Sequence, residues 1–171
     1  SGFSPTLLNS IIGVYKAYTT RVGSGPFPTE LYDDAGDLLA KHGREFGSTT
    51  GRARRCGWFD LVMSRRAASI NGLTELCITK LDVLDHLETI KVCVGYRYKG
   101  ELLKEVGFDL NLLMESEPVY ETFVGWMKST QGVTSFEELP ELAKRYLAFI
   151  SKEMALPITM ISTGPGREEM I

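Results

Sequence analysis

Apolar positions along this chain recur with two different periods, and the change between them divides it into elements. Over residues 5–19, Leu7, Leu8, Ile11, Ile12, Val14 and Tyr15 fall at helical spacing behind Ser4 and Pro5, a cap and first-turn signal. That stretch predicts a helix. A Gly- and Pro-rich segment over 21–28 follows and excludes regular structure. Residues 30–42 predict a short helix that Gly43 ends, and 60–71 predict another with Gly72 as its stop.

Shorter apolar runs carry the strand signal. Leu76, Cys77, Ile78 and Thr79 suit a buried strand, and residues 92–98 begin apolar and then alternate as a strand leaving the core would. Between 101 and 132 the pattern supports only short strands and loops. The clearest amphipathic helix spans 136–154, with Leu139, Leu142, Ala143, Tyr146, Leu147 and Ile150 on one face and Pro157 as its breaker. A last buried strand over 158–161 runs into Ser162, Thr163, Gly164, Pro165 and Gly166. Alternating strands and helices predict an α/β fold around a mostly parallel central sheet with flanking helices, with residues 1–171 a portion of a single domain truncated at both ends.

Composition changes little in this picture. With 171 residues the chain can bury a substantial core, and 43% hydrophobic against 24% charged residues is ordinary for a soluble protein. A net charge of -3 gives no global attraction to nucleic acid or to an anionic membrane. No apolar run reaches spanning length. Cys56, Cys77 and Cys93 are odd in number and lack a CxxC pair, so buried thiols in a reducing, cytoplasmic compartment are expected and a metal site is not. The chain opens without an initiating Met and stops within what reads as continuing structure, so a piece of a longer protein is expected.

Three segments carry candidate chemistry. Thr79-Lys80-Leu81-Asp82 sits at the carboxyl end of a predicted buried strand, the edge where open α/β sheets bind ligands. A carboxylate there can accept two parallel hydrogen bonds from N1–H and the exocyclic amine of guanine, a donor pair that adenine lacks. The Lys80 stem can lie across a base plane while its head is held by nearby carbonyls. Ser162, Gly164 and Pro165 repeat the same punctuation, strand into small-residue loop, and can form another wall of a base pocket. Thr49, Thr50, Gly51, Arg52 and Arg54 combine hydroxyls, close backbone approach and forked guanidinium donors, which suit a carboxylate ligand. Each segment alone is also compatible with an ordinary turn or a solvated surface. His42, His86 and the acidic pairs Asp33-Asp34 and Glu137-Glu138 read as surface or capping groups, and Arg65 and Arg66 as structural ion-pair partners.

Taken together, these segments resemble the adenylosuccinate synthetase family. The resemblance rests on Lys16 through Gly23, on Gly25-Pro26-Phe27-Pro28-Thr29-Glu30-Leu31, and on Glu45-Phe46-Gly47 with Thr49-Thr50-Gly51-Arg52. It rests also on Thr79 through Asp85 and on Ile161-Ser162-Thr163-Gly164-Pro165, in the family's order. It implies a P-loop-NTPase-like fold and a GTP-dependent ligation of IMP and L-aspartate to adenylosuccinate, through 6-phosphoryl-IMP, in a cytoplasmic homodimer. By that resemblance, Thr49, Thr50, Arg52 and Arg54 belong to a loop closing over aspartate, and Arg52 also reaches IMP. Val22 lines the IMP pocket, and Lys80, Asp82, Ser162, Gly164 and Pro165 hold GTP. The resemblance places the phosphate loop, the catalytic residues and the Mg²⁺ ligands upstream, and no GDEGKGK-like segment occurs in this sequence. This piece alone is therefore expected not to turn over; the alternative from another class is a non-catalytic guanine-nucleotide-binding module.

Overall fold

A computed structural model describes residues 8–47, 51–107 and 109–171. Its centre is a three-stranded parallel sheet in the order β1 (Ile12–Lys16), β5 (Glu75–Thr79), β9 (Ile158–Ile161). Register runs from Ile12 opposite Glu75 to Lys16 opposite Thr79, and Ile78 lies opposite Ile161. A mixed second sheet is built on the long β6 (Thr89–Tyr98), parallel to β4 (Phe59–Asp60) and antiparallel to β7 (Glu101–Leu103) and β8 (Glu117–Val124). β2 (Thr19–Arg21) and β3 (Arg55–Gly57) form a small antiparallel pair. The α/β class with a parallel sheet and flanking helices holds.

The helix expected over 5–19 is not there among the described residues, which form β1 and β2 instead. Ile11, Ile12 and Val14 are β-branched, which lowers helix propensity, and the run finds a hydrogen-bonded partner in β5. Gly13 leaves room for this packing: a Cβ there would stand 2.3 Å from the tip of the Leu73 side chain, which would have to move aside. Helix α1 (Asp34–His42) starts later than expected because Asp33 caps it, accepting from the Gly36 amide at 3.2 Å. Glu30 instead forms a bridge with Gly57, and the Leu31 amide donates to the Cys56 carbonyl at 2.9 Å.

Helix α2 (Leu61–Asn71) keeps its expected bounds. Asp60 accepts from the amides of Val62 and Met63, and Gly72 closes the helix in the left-handed region at φ 60. Helix α3 (Leu110–Glu115) occupies part of the stretch expected to hold only short strands and loops, and β8 there is longer than expected. Helix α4 (Glu141–Met154) starts after a separate 3₁₀ turn over Phe136–Glu138. Pro140 forces the break, since its fixed ring favours an entry position rather than a helix interior. Ala155 in the left-handed region ends α4 before Pro157 is reached.

The core joins the layers. Phe59, Leu76, Ile78, Tyr146, Leu147 and Ile150 are all buried, and each such aliphatic or aromatic group stabilises the fold by about 1.5–3 kcal/mol. The Tyr146 hydroxyl donates to the Ala17 carbonyl at 2.6 Å, tying α4 to the turn after β1. Arg65 pairs with Glu153, binding α2 to α4 in the structural role expected of it. Among the described residues no helix is long and apolar enough to cross a membrane.

Candidate functional site

Parallel β5 and β9 end side by side, and their carboxyl ends feed the two loops singled out by sequence. After Thr79 the chain turns sharply because Lys80 adopts a left-handed conformation, φ 60 and ψ 37. A non-glycine residue there costs on the order of 1 kcal/mol, a strain typical of ligand sites. A 3₁₀ turn over Leu81–Leu84 follows. It is pinned to the neighbouring loop by the Leu81 amide, which donates to the Ser162 carbonyl at 3.3 Å.

A cleft of about 650 Å³ opens at this edge, lined by Lys80, Asp82, His86, Ser162, Gly164 and Pro165 together with Gly43, Arg44 and Gln131. All five residues assigned by sequence to a base site thus face one concavity. Burial pushes the Asp82 carboxyl above its usual range, and the carboxylates of Asp85 and Glu169 add to this while Lys80 opposes it. The second loop is braced from below. Glu169 accepts from the Gly166 amide at 2.5 Å, and its carboxylate lies where a Cβ on Gly164 would be, 2.4 Å away. A side chain at 164 would push the Glu169 carboxylate aside, so glycine there lets the two meet closely.

Asp85, one turn beyond Asp82, is buried and anchors the cleft floor. It accepts from Trp126 Nε1 at 2.6 Å, from the Thr130 amide at 2.6 Å and from the Thr130 hydroxyl at 2.9 Å. His42 and His86 stack at the rim with ring centroids 4.1 Å apart. Burial, then His86 and Lys41, hold the His42 imidazole below its ordinary value.

Beside the cleft lies a charged cluster centred on Glu45, whose side chain is fully buried. Its carboxylate accepts from Lys16 Nζ at 2.8 Å, Lys80 Nζ at 2.8 Å, Arg54 Nη1 at 2.8 Å and the Tyr18 hydroxyl at 2.5 Å. Burial alone would raise this carboxyl, but the hydrogen bonds from Lys16, Lys80, Tyr18 and Arg54 overcome it and hold the group at about 2. Lys16 is itself held below its ordinary value, because its burial outweighs the attraction of Glu45. The Lys80 head also donates to the Gly43 carbonyl at 2.6 Å, as anticipated for a lysine held by carbonyls.

The basic loop is closed at its base by the bridge between Phe46 and Ala53 and by the Arg54 amide on the Glu45 carbonyl at 2.9 Å. Arg54 therefore stands against Glu45, and Arg52 lies exposed on the loop. Thr49 and Thr50 lie outside the described residues. Arg55 crosses to Glu30 and donates to the carbonyls of Gly23 and Gly25, so it fixes the Gly-Pro segment. Val22, on that segment, is 68% exposed. Its neighbours Thr20 and Arg21 line a second concavity of about 440 Å³ with Tyr15, Lys16, Phe27 and Phe59.

The sequence reading missed Glu45 as a hub and the stacked histidines; their partners are distant along the chain, so no local pattern announced them. The three cysteines are free and buried as expected. Burial raises all three thiols, Cys56 to about 11 and Cys93 to about 12, which leaves them unreactive. Among the described residues no three His, Cys, Asp or Glu side chains converge on a metal position.

Fold and cleft together define an α/β protein with a polar cleft at the carboxyl edge of a parallel sheet, flanked by a cation-rich loop. The adenylosuccinate synthetase family profile matches residues 1–171. The chain is 55% identical over 172 residues to the adenylosuccinate synthetase of Ectopseudomonas mendocina and 56% identical over 173 to that of Halorhodospira halophila. In both cases the match covers 100% of this chain and 40% of the relative. The solved structure of fully ligated adenylosuccinate synthetase from Plasmodium falciparum superposes with a TM-score of 0.95 at 44% identity, over 99% of this chain and 41% of that one. This chain belongs to the adenylosuccinate synthetase family, and it spans about 40% of the length of the curated relatives it matches.

Proposed function

We propose that this chain supplies the guanine pocket and the aspartate loop of a GTP-dependent ligase joining IMP and L-aspartate to adenylosuccinate, with release of GDP and phosphate. Residues 1–171 form, in this reading, the C-terminal portion of a single synthetase domain. The observation that carries the reading is that Lys80, Asp82, Ser162, Gly164 and Pro165 meet in one cleft at the carboxyl edge of parallel β5 and β9.

The chemistry follows from the side chains. Asp82 accepts both donors of the guanine edge and so selects GTP over ATP. The Lys80 stem, with its head tied to Gly43 and Glu45, packs on one face of the base. Ser162, Gly164 and Pro165 close the opposite wall, where the Ser162 hydroxyl already donates to the Gly164 carbonyl at 2.8 Å. Arg52 and Arg54, with Thr49 and Thr50, orient the carboxylates of aspartate, and Arg52 reaches toward IMP. Val22 and the 440 Å³ concavity beside it form the IMP side.

Phosphoryl transfer to IMP needs preorganised donors and Mg²⁺; among the described residues no three His, Cys, Asp or Glu side chains gather to hold a metal, and by family likeness those groups belong to the rest of the whole protein. Removing even one preorganised donor costs about 2.7–4 kcal/mol of catalysis, so these residues by themselves do not turn over. Three free buried thiols fit a reducing cytoplasm. The working unit, by family likeness, is a homodimer.

The test is Asp82→Asn in the full-length enzyme, assayed by adenylosuccinate formation. It should raise the KM for GTP about tenfold or more, one charge-assisted pair, and leave that for IMP near wild type. Equal effects on both KM values would refute the base-reading role.

A further inference from the structure

The two ligand regions are not independent. Arg54 of the basic loop and Lys80 of the nucleobase cleft end on opposite oxygens of the same carboxylate, Oε2 and Oε1 of Glu45. Their side chains are 32% and 34% exposed, so each cation is fixed on its inner side and accessible on its outer side. Glu45 itself cannot shift. Its amide donates to the Ala40 carbonyl, its carbonyl accepts from the Arg54 amide, and its side chain is fully buried beneath the Tyr18 hydroxyl.

We propose that Glu45 is a positioning residue that couples the nucleobase cleft to the aspartate loop. It holds the Lys80 head and the Arg54 fork at once, so that occupation of one region preorganises the other. The inference rests on the functional reading above and extends it, because neither Arg54 nor Glu45 lines the cleft. Charge makes the arrangement directional. Lys16, Lys80 and Arg54 put three positive charges on one carboxylate, leaving a surplus that favours anionic partners on the outer side. When a ligand carboxylate draws on Arg54, Glu45 is left to Lys80 and Lys16 and holds them more firmly. Lys80 is then less free to leave the face of a base. Binding linkage requires the converse effect of equal size.

The decisive experiment is a double-mutant cycle in the full-length enzyme, with KM values for GTP and aspartate measured separately. Glu45→Gln keeps an oxygen for Tyr18 and places an amide against Arg54 or a lysine. It should raise both KM values about tenfold, the loss of one charge-assisted hydrogen bond at each end. In that background Arg54→Leu should add less than about twofold to the aspartate KM, against about tenfold in the wild type. A merely structural role would lower kcat and thermal stability without this non-additivity. If Glu45→Gln does not fold, Arg54→Leu alone decides. It should shift the KM for GTP by about threefold or more, although Arg54 does not line the cleft. An unchanged GTP KM in Arg54→Leu, or additive effects in the cycle, would overturn the coupling. Asp82→Asn run in parallel separates the two levels. If it raises the GTP KM while the cycle is additive, only the coupling fails. If the wild type forms no adenylosuccinate, the functional reading falls and takes the coupling with it.

Discussion

Acidification should weaken the Glu45 cluster by an amount the structure fixes. The carboxyl sits at about 2 in the fold against an ordinary value of 4.5. A difference of about 2.5 units, at about 1.36 kcal/mol each, corresponds to about 3 kcal/mol of stability at neutral pH. Because the folded value is depressed, this stabilisation is complete above the unfolded value and is lost as pH falls from about 4.5 toward about 2. By pH 3 about 2 kcal/mol of it is gone. The burial of Lys16 offsets part of the cluster's net benefit. That offset stays constant across the acid range, however, since Lys16 is protonated throughout in both states. The acid limb therefore isolates Glu45. Urea unfolding of the full-length protein and of its Glu45→Gln variant, at steps from pH 7 to pH 3, gives the difference directly. The gap between the two should close by about 2 kcal/mol on reaching pH 3, while the titration of other carboxylates cancels in the comparison. A gap that stays constant from pH 7 to pH 3 would refute the claim that the four donors control this carboxylate.

Asp85→Asn tests the anchor under the cleft. Asparagine keeps one acceptor but turns an N–H toward the donors of Trp126 and Thr130, so stability should fall by about 2 kcal/mol, with altered Trp126 fluorescence. An unchanged denaturation midpoint would show that the three hydrogen bonds do not hold the loop. Gly125→Ala tests the junction after β8. A Cβ there would stand 1.6 Å from the Leu87 carbonyl oxygen, a backbone atom that cannot rotate away. The substitution should cost about 3 kcal/mol or more and expose residues 85–88 to limited proteolysis, and a wild-type melting temperature would contradict the close packing.

The elements read correctly were those whose signals are local. Helix α2 carries its own cap in Asp60 and its own stop in Gly72, and both act through backbone hydrogen bonds within a turn. Strands β5 and β9 are apolar runs too short for helices, each ending in turn residues, so their ends and the loops after them could be placed without knowing their neighbours. The run containing Val14 and Tyr15 failed that test. Its apolar spacing fits a helix as well as a buried strand, and what decides is hydrogen bonding to β5, contributed by residues far along the chain. Pro140 marks a similar limit in a milder form: the pattern ran through it, but ring geometry moved the start of α4 to Glu141.

The same distinction explains why the cleft was legible and its wiring was not. Lys80, Asp82 and the 162–165 loop could be recognised because a parallel sheet aligns the carboxyl ends of its strands, so two such ends foretell one site. Glu45 gathers donors 29, 27, 9 and 35 residues away, from Lys16, Tyr18, Arg54 and Lys80. No periodicity encodes that meeting; it exists only once β1, the base of the basic loop and the turn after β5 are packed together. A buried carboxylate with four donors is costly to assemble, since burial alone raises its pKa and only simultaneous contact with its partners reverses the sign. It therefore reports on the correct placement of all three segments at once. That is the property a residue needs in order to make the cleft and the basic loop beside it answer to each other.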